Sequence, residues 1–91
     1  MRSPRPATRL AKAIMSLESA SEAESFLREM LTPCELHDIV LRWQLMERLA
    51  AGGTQRAIAE KLGISLCKIT RGARLLKSRK SVVARLVRKA Q

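Results

Sequence analysis

The sequence predicts an all-α fold of six short helices that includes a helix-turn-helix. Three observations predict it. Apolar residues recur at three- and four-residue intervals through most of the chain, the period of an amphipathic helix. Four Gly and three Pro stand mostly at the junctions of those runs, and the aromatics are one Trp and one Phe with no Tyr, a composition that points away from sheet. Two short periodic segments are also joined by about three residues that include Gly63, which is the pattern of a helix-turn-helix. A chain of this size buries only roughly 60–65% of its unfolded surface, so dimerisation is a natural way to bury more.

Residues 1–7 read as a flexible basic arm, and 8–91 as one helical domain with its helix-turn-helix at about 54–77. The arm is a candidate DNA contact. The first helix is expected over 8–19, with Leu10, Ala13, Ile14 and Leu17 on one face. Ser21 followed by Glu24 has the form of a capping box for the second helix, whose apolar side carries Phe26, Leu27, Met30 and Leu31. Thr32, Pro33 and Glu35 give the clearest boundary: a good N-cap, a proline suited to the first helical position, and a second capping box. The third helix then carries Leu36, Ile39, Val40, Trp43, Met46, Leu49 and Ala50, and stops at Gly52-Gly53. That stripe marks it as the central core helix and a candidate dimer seam, with Trp43 inside the core and His37 on the surface.

Thr54 caps an expected helix from Gln55 to Leu62, Gly63 supplies a left-handed turn, and Ser65 caps a helix from Leu66 to about Lys77. Ile58, Leu62, Ile64 and Ile69 are the expected apolar contacts of this motif, and small Ala59 permits a close crossing. Gly72 breaks the rule of glycine at junctions: it lies inside the fifth helix, where it costs roughly 0.5–1 kcal/mol relative to alanine. A sixth short helix places Val82, Val83, Leu86 and Val87 along one side and Arg85, Arg88 and Lys89 on another.

Charge narrows the function. The formal net charge is +10, with 18 Lys and Arg against 8 acids, and all eight acids lie between Glu18 and Glu60. From Lys68 to Lys89 there are nine cations and no acid. Such a one-sided distribution fits a nucleic-acid partner, because each neutralised phosphate releases counterions; an anionic membrane surface is the rival. No apolar run approaches the roughly 20 residues of a membrane span. The basic start is interrupted by Lys12 and Ser16 and offers no clear cleavage site, so no signal peptide is expected. Cys34 and Cys67 stand in no metal-ligand spacing and read as free thiols of a cytoplasmic protein, with Cys67 expected at least half-buried. One His, His37, three residues from Cys34, makes no catalytic constellation, and neither an enzyme nor a metal protein is expected.

In a helix-turn-helix the second helix enters the major groove and its N-terminal residues face base edges. Here those are Leu66, Cys67, Lys68 and Thr70. Lys68 and Thr70 can donate to bases or phosphates. Gln55, Arg56 and Lys61 on the preceding helix suit backbone contacts, and Arg74, Lys77, Arg79 and Lys80 continue the positive face.

The pairing of "MLTPCE" with "ITRGARLLK", joined by a long amphipathic helix and "QRAIAEKLG", closely resembles the bacterial tryptophan (Trp) repressor family over roughly Leu27 to Lys77. The resemblance implies an intertwined all-helical homodimer that binds a double-stranded DNA operator with L-tryptophan as co-repressor and needs no other cofactor. It further implies that the indole ring lies between Arg42 and Arg71, that Arg71 pairs with the ligand carboxylate, and that Gly72 lets the ring approach the helix backbone. Leu27, Leu31 and Thr32 of the other subunit would close the pocket. Gln55, Arg56, Leu66, Cys67, Lys68 and Thr70 match positions that face DNA. A cation on a core helix is costly without a partner, which gives Arg42 a reason to need one; the alternative is an Arg42 at the solvent edge with its stem stretched out. The sequence departs from the family at Leu75, where a serine hydroxyl stands near the ligand amino group, and at Lys68, which replaces a smaller hydroxyl residue. The expected function is a tryptophan-activated repressor. The alternatives are a ligand-independent, architectural DNA- or RNA-binding protein and a helix-turn-helix used for protein assembly.

Overall fold

The computed structural model describes residues 5–91. Those residues form six helices: α1 Pro6–Met15, α2 Ala20–Met30, α3 Pro33–Ala50, α4 Gln55–Leu62, α5 Leu66–Lys77 and α6 Val82–Lys89, with no strand among them. The chain divides into two compact units, the first ending at Leu36 and the second running from His37 to Gln91.

In the first unit, the helix starts differ from the sequence expectation. Pro6 occupies the beginning of α1, where its fixed φ and missing N–H cost nothing, so the helix starts ahead of residue 8 and takes in two residues assigned to the arm. Residues 1–4 of that arm lie outside the described residues. The helix also stops earlier than expected, at Met15, and the Ser16 hydroxyl donates to the Lys12 carbonyl at 3.1 Å. Ser19 rather than Ser21 caps α2: its side chain accepts from the Glu22 amide at 3.1 Å. Glu24, expected in a capping box, instead pairs with Arg28 one turn later at 2.8 Å on an exposed face. Leu31, expected in the helix, is its extended C-cap.

The start of α3 follows the expectation. The Thr32 amide donates to Glu35 Oε1 at 2.9 Å, and the Glu35 amide donates to Thr32 Oγ1 at 3.2 Å, a reciprocal capping box. Hydrogen bonding to the carboxylate, first from the Thr32 backbone N–H and then from the Thr32 side chain, holds the Glu35 carboxyl below its ordinary range. At the other end, the Gly53 amide reaches the Arg48 carbonyl at 3.0 Å and the Gly52 amide reaches Leu49 at 3.1 Å. With Gly52 at φ +92°, this is a Schellman stop.

The second unit is built on a small apolar centre of Leu45, Ile58 and Ile69, with Leu49, Ala59, Leu62 and Ile64 packed against it. Its members come from α3, α4, the turn and α5, so the helix-turn-helix is seated directly on the last two turns of α3. Met46, Ala84 and Val87 are also buried. The stripe expected along the whole of α3 buries only at its C-terminal end. Trp43, expected in the core, is 36% exposed, and Ile39 and Val40 are 43% and 45% exposed. Leu45, off the expected stripe, takes the central place because α4 and α5 approach from its side.

Candidate nucleic-acid interface

The helix-turn-helix is positioned by three local devices. The Thr54 hydroxyl accepts from the Ala57 amide at 3.2 Å and starts α4. Gly63 closes α4 with φ +64°, its amide on the Ala59 carbonyl at 2.9 Å; a side chain there would be strained. Ser65 then begins α5 in extended geometry, but its side chain makes no capping bond, contrary to the expectation. Packing of the half-buried Ile64 and the fully buried Ile69 orients α5 in its place.

The turn leaves the N-terminal end of α5 bare. Leu66, Cys67, Lys68 and Thr70 are all exposed, Leu66 to 58%. Cys67, which the sequence predicts to be at least half-buried, is a free and exposed thiol, because Ile69 is the α5 residue that fills the apolar centre. Thr70 donates its hydroxyl hydrogen to the Leu66 carbonyl at 2.9 Å, which fixes its rotamer and leaves oxygen lone pairs outward. Gln55, Arg56 and Lys61 of α4 and Arg74 and Lys77 of α5 are exposed as well. No carboxylate pairs with any of these cations among the described residues. A framework of buried aliphatics therefore carries exposed, unpaired positive charge and donor side chains along α4 and α5, which is suited to a polyanion with readable edges.

The residues that the resemblance assigned to a ligand fall in both units. Leu27, Leu31 and Thr32 belong to the first; Arg42, Arg71, Gly72 and Leu75 belong to the second. Arg42 is exposed, so the cost of a buried cation does not arise in the single chain. Arg71 is exposed, while its neighbour Gly72 is buried. A Cβ on Gly72 would meet Leu45 Cδ2 at 3.1 Å, Leu49 Cδ1 at 3.2 Å and Met46 Sδ at 3.3 Å. The glycine thus has a packing role, a close crossing of α5 over α3, which spacing alone did not reveal. Leu75 is 39% exposed.

Sequence reasoning also missed the junction of α5 and α6. Arg88 donates to the Leu76 carbonyl at 3.3 Å, across twelve residues; the abundance of cations after Lys77 was the available signal, but their convergence depends on the turn. Among the described residues, no group of His, Cys, Asp and Glu could hold a metal ion, and no helix is long and apolar enough to cross a membrane.

Comparison with known proteins gives the family. Residues 7–91 match the family model described as Trp repressor protein. A Trp operon repressor homolog of Chlamydia trachomatis serovar D is 38% identical over 71 residues, covering 72% of this chain and 76% of the relative. One of Xylella fastidiosa strain M23 is 37% identical over 65 residues, covering 70% and 71%. No solved structure is significantly similar. With residues 7–91 matched to that family model, the chain belongs to the Trp repressor family of DNA-binding transcriptional repressors, which are regulators and not enzymes.

Proposed function

We propose that the protein acts as a homodimer whose binding to an operator is activated by L-tryptophan. The observation that carries the DNA part is the bare N-terminal end of α5, with Lys68 and Thr70 exposed and Ile69 fully buried between them. Lys68 and Thr70 read base edges, while Gln55, Arg56 and Lys61 hold phosphates, so affinity comes mostly from neutralised charge and specificity from a few groove contacts. A dimer is favoured by the apolar surface that one chain leaves open at Ile39, Val40 and Trp43, since contiguous exposed apolar area marks an interaction site. Two reading heads then meet successive major grooves about 34 Å apart.

Tryptophan acts by preferring the arrangement of the two heads that matches DNA. Arg42 and Arg71, both exposed and without a carboxylate partner among the described residues, are the guanidinium groups offered to the ring and its carboxylate. Gly72 keeps α5 close to α3 and so fixes the base of Arg71. Calorimetry with L-tryptophan tests the ligand: saturable heat that Arg42→Ala weakens roughly tenfold is expected for a lost guanidinium stacking contact, and no heat at about 1 mM ligand rejects it, a concentration that detects even weak binding. A ligand-independent DNA binder is the second reading, favoured by Leu75, which offers no hydroxyl for an ammonium group; DNA affinity that is indifferent to tryptophan would establish it.

A further inference from the structure

The turn between α5 and α6 gathers charge away from the reading end. Lys77, Arg79, Arg85 and Arg88, with the hydroxyl-bearing Ser78 and Ser81, line an open cleft of about 310 Å³. The sequence contains no acid after Glu60, and no carboxylate pairs with any of these four cations among the described residues. Gathering like charges at one turn is unfavourable unless an anion offsets it.

Two details make the cleft an organised receiver. Arg88 Nη2 donates to the Leu76 carbonyl at 3.3 Å, which tethers its guanidinium and offsets the negative pole at the end of α5. Ser81 Oγ accepts from the Ala84 amide at 3.0 Å, so the start of α6 is capped and the hydroxyl keeps its own hydrogen to donate. The N-terminal end of α6, where Ser81 caps the helix and also lines the cleft, adds a positive pole there. Planar guanidinium forks and a hydroxyl donor match a tetrahedral dianion with several acceptor oxygens better than a single carboxylate.

The geometry points to a phosphate seat in the α5–α6 cleft, distinct from the reading end of α5. Lys77 lies nine residues beyond Lys68, roughly 14 Å along the helix. The phosphate comes either from a small phosphoester or from the backbone of bound DNA. Both sources share the same recognition chemistry, and neither depends on tryptophan.

Titration of the whole protein with inorganic pyrophosphate at low salt, followed by amide NMR, tests the seat. Saturable shifts confined to residues 77–88 are expected, at concentrations where acetate has no effect. Arg79→Gln or Arg85→Gln should weaken the response by about tenfold, the loss of one charge-assisted contact. Arg79 lies outside any helix, so its variant reports even if Arg85→Gln loosens α6. Absence of saturation, or equal shifts along residues 56–74, overturns the seat. The salt dependence of DNA binding then assigns the source. A slope reduced by about one in the Arg79→Gln variant places a backbone phosphate there; an unchanged slope with pyrophosphate binding intact in the parent protein assigns a free phosphoester. Failure of the parent protein to bind DNA would count against the repressor reading alone, because the pyrophosphate titration does not involve DNA.

Discussion

At the scale of single residues, Gly72 shows how one position serves packing in a way its neighbours in sequence do not announce. Glycine inside a helix is a local cost, but here three side chains of α3 stand 3.1–3.3 Å from where a Cβ would be. Leu45 and Met46 are both buried and cannot swing away freely. Gly72→Ala should therefore be destabilising by about 1 kcal/mol, overpacking outweighing the gain in helix propensity, and urea denaturation measures it; an increase in stability would contradict the close crossing. Leu75 can be tested in the opposite sense. Leu75→Ser restores a hydroxyl at a partly exposed site, and if tryptophan is the effector its affinity should rise about tenfold, the worth of one hydrogen bond to a charged group. Glu35 gives a pH signature. Its pKa is lowered in the folded chain from an ordinary value of 4.5, so the capping box stabilises fully above that value and is lost as pH falls through the lowered one. An NMR titration should show the Thr32 amide moving with a midpoint below pH 4.5, and Glu35→Gln should remove that movement.

At the scale of elements, the helix-turn-helix depends on its two punctuating residues. Thr54→Ala removes the bond to the Ala57 amide and should cost about 1 kcal/mol. Gly63→Ala forces a Cβ into φ +64° and should cost about 1–2 kcal/mol; denaturant midpoints measure both, and neither change touches a residue of the reading face. The boundaries of α4 and α5, and the contacts of Ile58, Leu62, Ile64 and Ile69, are legible in the sequence because the Thr54 cap, the glycine geometry and short-range periodicity agree there, although Ser65 makes no cap bond. The boundaries of α1 and α2 are not. Several serines near residue 20 are equally able to cap, and only the bond between Ser19 and the Glu22 amide decides among them. The α3 stripe misleads for a different reason: periodicity identifies an apolar face but not what covers it. Trp43 belongs to that face and is 36% exposed, while Leu45 is central because of where α4 and α5 lie.

At the scale of the whole molecule, charge and apolar surface lie on different parts of the chain, acids ending at Glu60 and cations dominating from Lys68 onward. The positive side suits DNA, and the open apolar residues of α3 suit a second copy of the chain. Ile39→Asp should shift sedimentation toward the monomer and weaken operator binding together, because a charge in that surface opposes its burial. The bare end of α5 was legible as a pattern because the motif fixes it, and the proposed reading residues follow from that; the proposed tryptophan site rests on family resemblance alone, since its residues fall in two units and Gly72 is also accounted for by packing. The most direct test of tryptophan-governed DNA binding is the affinity for duplexes selected from a random pool, measured across salt concentrations with and without about 1 mM L-tryptophan. Tryptophan should tighten binding at least roughly tenfold at every salt concentration, the coupling expected of a ligand that prefers the DNA-competent state, while affinity falls steeply with salt. Equal affinity with and without tryptophan would contradict the account.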